Sequence, residues 1–185
     1  MSELHIATVG TESGMVFDLQ PTLEGELLRL RPLRPDDWSD LYAVASDPLV
    51  WEQHPKRDRY KEEVFKEFFR EALESGGALI VIDSKDGQVI GSSRFRVYDQ
   101  DRGEIEIGWT FLARSHWGGI YNRELKQLML RHAFRFVKTV VFLVGPKNLR
   151  SQRALEKIGA VHVGSRTDEK GQESFVYHIT APRSR

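Results

Sequence analysis

Ser115-His116-Trp117-Gly118-Gly119-Ile120-Tyr121-Asn122 is the stretch on which the reading of this chain turns. It follows the strand-like run Phe111-Leu112-Ala113-Arg114 and precedes a segment with apolar residues at helical spacing, so the local order is strand, short loop, helix. Paired glycines at such a junction leave backbone N–H groups unshielded, and the helix dipole adds partial positive charge at the same point. That combination binds anions. Arg114 can add a side-chain charge. Taken alone, a glycine pair licenses no more than a tight turn. The chain has neither the G-x-G-x-x-G spacing nor G-x-x-x-x-G-K-[S/T], which removes the main support for dinucleotide redox chemistry and nucleotide hydrolysis.

Working outward, a helix is expected from about Gly119 to Lys138. It buries Tyr121, Leu125, Leu128, Met129, Ala133 and Phe136 and leaves Arg123, Lys126, Gln127, Arg131 and Arg135 outward. The apolar run Thr139–Val144 then reads as a strand, and strand, helix, strand predicts a right-handed parallel crossover. Asn148 can cap a short helix through Leu155 that ends at Ile158-Gly159. Ala160–Thr167 and Glu173–Thr180 flank Asp168-Glu169-Lys170-Gly171 as a last hairpin. Upstream, Ala78–Asp83, Gln88–Tyr98 and Glu104–Leu112 are separated by turn residues and form an antiparallel meander. Before them come a first strand at Leu28–Leu33, a short helix opened by Pro35-Asp36-Asp37, and a second helix from Arg59 to Ser75. Residues 1–21 read as an N-terminal extension and 22–182 as one domain of mixed α+β class.

Composition narrows the function classes. With 185 residues and 40% hydrophobic content, one core is the default. Lys+Arg and Asp+Glu both count 27, so no global field favours nucleic acid. The absence of cysteine excludes a disulfide framework and a thiolate nucleophile or ligand, and the six histidines show no metal-ligand spacing. No metal is expected. Apolar runs of about five residues fall far short of the roughly 20 that span a bilayer, and the N-terminus lacks a signal-peptide pattern. A soluble, cytoplasmic protein without a membrane partner is expected.

Three linked segments carry a family resemblance: Glu106-Ile107-Gly108-Trp109-Thr110-Phe111, then His116 to Glu124, then Asn148-Leu149-Arg150-Ser151 running on to Lys157-Ile158-Gly159-Ala160. In this order they resemble the GNAT acetyltransferase superfamily, with the RimJ/RimL-like branch the closest in flavour. The chain departs from the family's pattern at Ser115, Ile120, Asn122 and Ala160, with a branched residue at Ile120 where a small one is usual.

The resemblance implies a central twisted, mostly antiparallel sheet of six to seven strands flanked by helices, with the βαβ unit forming the cofactor site. It implies acetyl-CoA as co-substrate and a primary amine, from a protein N-terminus or a small molecule, as acceptor. The thioester arm would lie beside Glu104–Leu112, with Phe111, Leu112, Arg114, Trp117, Gly118, Gly119, Ile120, Tyr121, Asn122, Asn148 and Ser151 around the cofactor. Glu106 is the candidate base, with Glu104 on the same strand face, and Ser151 the candidate donor to the departing thiolate. Trp51 and His54 would shape the acceptor pocket. Bland roles stand beside these: Asn148 as a helix cap, Trp51 as a core residue, His116 as a neighbour of the phosphates. A homodimer is compatible with the family. The other classes left open are a non-catalytic acyl-CoA-binding module and a transferase for a different acyl chain.

Overall fold

Leu28 and Leu30 alternate with Arg29 and Arg31, and this period of two lays a strand with one face wholly buried. The computed structural model describes residues 16–182, so most of the expected N-terminal extension lies outside the described residues. The elements in chain order are β1 (Leu23–Glu24), β2 (Leu28–Pro32), α1 (Trp38–Ala45), α2 (Glu62–Glu74), β3 (Ala78–Asp83) and β4 (Val89–Asp99). They continue as β5 (Glu104–Leu112), α3 (Ile120–Ala133), β6 (Thr139–Val144), α4 (Leu149–Lys157), β7 (Val161–Thr167) and β8 (Glu173–Thr180). The strands form one sheet in the order β1-β2-β3-β4-β5-β6-β8-β7. Every pairing is antiparallel except β5 with β6, which closes the expected βαβ unit around α3.

Two expectations are corrected. The sheet has eight strands rather than six or seven, because residues 23–24 fold back on β2, with Leu23 opposite Leu30. Glu124 of α3 holds that turn by accepting from the backbone N–H groups of Glu26, Leu27 and Leu28. Second, α3 ends at Ala133 rather than near Lys138. The Gly103 carbonyl takes the N–H groups of Lys138 and Thr139 at 2.9 and 3.1 Å, which draws the chain off the helix axis and into β6.

The sheet separates two apolar layers. Ile105, Ile107, Leu112, Leu125, Met129 and Phe142 belong to the layer shared with α3. Leu41, Trp51, Phe65, Phe68 and Phe111 belong to the layer shared with α1 and α2. Phe17 is 4% exposed and lies edge-on to Phe95 and His132, so the end of the expected extension is packed into the first of these layers.

Candidate functional site

β5 changes face part-way along its length. Ile105 and Ile107 point to the α3 layer, yet so does Leu112, and Phe111 points the other way. Strict alternation forbids this. The pairing with β4 explains it: Ser92 faces Phe111 while Arg94 faces Gly108, leaving Trp109 and Thr110 opposite Ser93 alone. This β-bulge puts Trp109 at φ +51, a left-handed conformation that a bulky aromatic residue adopts at a cost of about 1–3 kcal/mol. It directs Thr110 toward α3 and Trp109 toward α2.

Beside the bulge the sheet splits. β5 and β6 pair only from Glu104 to Glu106 against Thr139 to Val141, after which they no longer pair with each other, although β5 stays paired to β4 and β6 to β8. The remaining β5 edge, with its row of backbone donors and acceptors, is free to take an added strand-like partner. The glycine loop begins where this edge ends.

In that loop Gly118 and Gly119 have φ +99 and +129. A Cβ at either would have open space around it, so backbone conformation, not crowding, calls for glycine there. Ile120 is 60% exposed as the first residue of α3. Its branched side chain therefore points to solvent and does not fill the loop. The Trp117 indole N–H donates to the Leu112 carbonyl at 2.9 Å, and the Arg150 guanidinium lies 3.8 Å over its ring, which ties the loop to β5 and α4. His116 is held between Asp83 and Ser115 at 2.9 and 2.8 Å and packs edge-on against Tyr121, a positioning role. Arg114 is engaged by Asp47 rather than turned into the loop. Asn122 is half-buried in the first turn of α3. Asn148 caps α4 by accepting the Ser151 N–H at 3.2 Å and is itself buried, while Ser151 is half-buried. Phe111 and Leu112 are both buried, their rings and methyls committed to opposite core layers.

Lys126 was expected to point outward and instead is 6% exposed. Its Nζ donates to Thr110 Oγ1 at 2.7 Å and lies 5.3 Å from the Phe142 ring centroid, at the point where β5 and β6 part. Thr110 Oγ1 is in turn 2.8 Å from Ser93 Oγ. Desolvation lowers the Lys126 ammonium to about 7. The helical period could have flagged it, since Leu125 and Met129 flank it on the buried stripe, but lysine on an amphipathic helix is normally read as solvated.

The acetyltransferase (GNAT) domain family matches residues 28–161, most of the chain. The chain belongs to the GNAT acetyltransferase family. Among curated relatives, an uncharacterized N-acetyltransferase p20 of Bacillus licheniformis is 28% identical over 144 residues, spanning 74% of this chain and 80% of the relative. Among solved structures, a GCN5-related N-acetyltransferase from Brucella melitensis superposes with TM-score 0.77 at 21% identity, covering 87% of this chain and 79% of that one. The spermidine N-acetyltransferase of Vibrio cholerae, in complex with CoA and spermine, superposes with TM-score 0.66 at 16% identity, covering 84% and 96%. At these identities the two structures speak for the fold.

On the other face of this GNAT sheet lies Glu106, the last β5 residue paired on both sides, opposite Arg96 of β4 and Val141 of β6. Burial raises its carboxyl to about 6, against the opposing pull of Arg166, Arg96 and Arg94. Glu104 is instead drawn to Arg102, 3.4 Å away. Trp51 takes its core role, 2% exposed with its N–H donating to the Ala45 carbonyl at 2.8 Å, and His54 packs edge-on against it. Burial and the neighbouring Arg59 hold the His54 imidazole down at about 3, so it is neutral. Both its nitrogens face donors, Lys56 N–H at 3.0 Å and the Arg59 guanidinium at 3.1 Å, whereas a neutral ring has one acceptor.

Arg59 and Arg94 of this face were missed by the sequence reading, because a lone arginine on a helix flank or a strand reads as solvated. Arg94 is 1% exposed and its three guanidinium nitrogens have no hydrogen-bond partner among the described residues. Leaving a buried charge unpaired costs several kcal/mol, so Arg94 as it stands does not stabilise the fold. A cavity of about 610 Å³ between α1 and the β3–β4 turn, lined by Asp40, Asp47 and Gln88, lies near the far end of β5 and gathers no such groups. No helix is long and apolar enough to cross a membrane, and no metal-binding cluster is found, both among the described residues.

Proposed function

We propose that the protein is an acetyl-CoA-dependent N-acetyltransferase that moves the acetyl group to a primary amine by direct attack in a ternary complex. The observation that carries this reading is the position of Glu106: a half-buried carboxyl at the fork where β5 leaves β6, raised to about 6 by desolvation. A base of that strength is mostly ionised at neutral pH and still able to accept a proton.

The residues present fit the cofactor. The glycine loop is open and its N–H groups are free of side-chain cover, which suits a pyrophosphate at the N-terminus of α3, and Ile120 does not obstruct it. Trp117 to Asn122 would hold that group, and the unpaired β5 edge with Asn148 would hold the extended arm. When bound, acetyl-CoA supplies an activated acyl group. Glu106 removes the proton that the amine gives up as its nitrogen bonds to the acyl carbon. As the C–S bond breaks, the Ser151 hydroxyl hydrogen-bonds the departing sulfur, and the proton taken up by Glu106 is returned through solvent to the thiolate, which restores the carboxylate. The products are an amide and the free thiol, so atoms and charge balance without a covalent enzyme intermediate. Domain limits at residues 22–182 and a RimJ/RimL-like affiliation belong to the same proposal, supported by the three linked motifs and the match of residues 28–161 to the family, and a cytoplasmic site of action is proposed with them.

The test is thiol release from acetyl-CoA across a panel of amines, with Glu106→Gln and Ser151→Ala. Release with at least one amine, lost in Glu106→Gln, is expected. CoA binding without turnover on any amine would make the chain a non-catalytic acyl-CoA-binding module.

A further inference from the structure

The acceptor side of β5 holds more positive charge than proton removal from an amine requires. Three guanidiniums, of Arg94, Arg96 and Arg166, lie close enough to attract Glu106, and Arg59 is close enough to repel Arg94. The carboxylates in reach of Arg94 are Glu106 and Glu71, those in reach of Arg59 are Glu71 and Asp58, and none bonds either guanidinium. Glu71 and Asp58 are both exposed to solvent.

The geometry around Arg94 is that of a binding group awaiting a partner. Its guanidinium lies 4.8 Å from the Trp109 ring and 5.5 Å from Phe68. The same Phe68 ring carries the Arg59 guanidinium at 4.7 Å, which also lies 5.4 Å from the Trp51 ring centroid. Aromatic rings satisfy the face of a guanidinium but not the N–H groups in its plane. A structural arginine at 1% exposure would spend those donors on carbonyls or a carboxylate, and Arg94 spends none. The neighbouring Arg59 has only the neutral, already engaged imidazole of His54. A planar fork of unspent donors matches an oxyanion presented in two-pronged fashion.

We propose that Arg94, with Arg59 and Arg96 beside it, binds an anionic oxygen group carried by the acceptor, so that the acceptor is a small amine bearing a carboxylate or phosphate-type group, its nitrogen facing Glu106. This rests on the acetyl-transfer reading above. A polyamine is disfavoured, because its extra ammonium groups would meet four guanidiniums against the one half-buried carboxylate of Glu106.

The test uses matched acceptors: glycine, β-alanine and 4-aminobutyrate; their amides; aminoalkylphosphonates of the same lengths; and diamines. Thiol release from acetyl-CoA is followed for the wild type and for Arg94→Met, Arg94→Lys and the exposed Arg96→Gln, with CoA affinity as the check on folding. The expected result is that at least one anionic amine exceeds its amide by about 30-fold or more in kcat/KM, the carboxylate and phosphonate arms showing which oxyanion fits. In Arg94→Met that preference should collapse to within about threefold, and Arg94→Lys should fall between. Should Arg94→Met fail to fold, Arg96→Gln should still cut the preference several-fold. A wild-type preference for diamines or uncharged amines, or a preference that survives in the Arg94 variants, overturns the proposal. If no amine is acetylated, the transfer reading falls, and the anion site is judged by calorimetric titration of the same amines into CoA-loaded protein. Binding of the anionic members that is lost in Arg94→Met upholds the site, and no binding overturns it.

Discussion

Under the proposed function, the two faces of β5 do different work with different material. Toward α3 the site is made of backbone: the free strand edge, the Gly118-Gly119 loop and the start of α3. Toward α1 and α2 it is made of side chains from distant parts of the chain, namely His54, Arg59, Arg94 and Glu106, with Arg166 reaching in electrostatically. Each face also buries cationic side chains, Lys126 on the first and Arg59 and Arg94 on the second, but Lys126 has a hydroxyl partner and Arg94 has none among the described residues. The difference separates a buried group that can shed its charge from one that cannot. Lysine lowered to about 7 becomes neutral at little further cost, whereas an arginine lowered only to about 10 stays charged at neutral pH and must find an anion.

The contrast can be broken most severely at Glu106. Glu106→Gln should lower kcat/KM by about 10²–10³-fold while leaving CoA affinity within threefold, because only the acceptor face is touched. In the wild type the rate should rise with pH through about 6 and level off above, since the ionised form is the active one. A rate that falls across that range would remove Glu106 as base.

The next largest effect is on stability, at Lys126. Its folded value of about 7 lies below the free-lysine value of 10.5, so between those limits the unfolded chain holds a proton that the folded chain has lost. Stability should therefore rise with pH across that window by about 1.4 kcal/mol per unit, measured by urea unfolding. Lys126→Met should abolish that slope and add about 3 kcal/mol at pH 7, after the loss of one hydrogen bond. A destabilised Lys126→Met would show instead that the charge is needed where it sits.

Smaller effects sharpen the backbone face. Gly118→Ala, at φ +99 with open space around it, should cost about 1–2 kcal/mol of stability through backbone strain alone and weaken CoA binding about tenfold. Ile120→Gly should change CoA affinity by less than about threefold, since the side chain it removes already points to solvent. A large gain in affinity on removing Ile120 would show that its branch obstructs the loop after all.

What was legible in the sequence follows the same division. Strand, loop and helix limits around the glycine pair could be read because glycine, turn residues and apolar period act locally. The early end of α3 could not, since it depends on the Gly103 carbonyl, thirty-five residues away from Lys138. The bulge at Trp109 was invisible because Thr110 and Trp109 fit an unbroken strand pattern equally well. Lys126 and Arg94 were passed over for one reason: charge implies exposure until the fold shows otherwise. Asn148 and Trp51 do take the ordinary roles weighed for them, cap and core, and for Asn148 that role leaves a contact to the cofactor arm open.

The division of labour between the two faces is tested most directly by calorimetric titration of CoA into the wild type, Gly119→Val, Glu106→Gln and Arg94→Met. The account predicts that the wild type binds, that both acceptor-face variants stay within about threefold of it, and that Gly119→Val loses at least about 50-fold through its strained, shielded backbone. Failure of the wild type to bind CoA, or a loss in Arg94→Met as large as that in Gly119→Val, would contradict it.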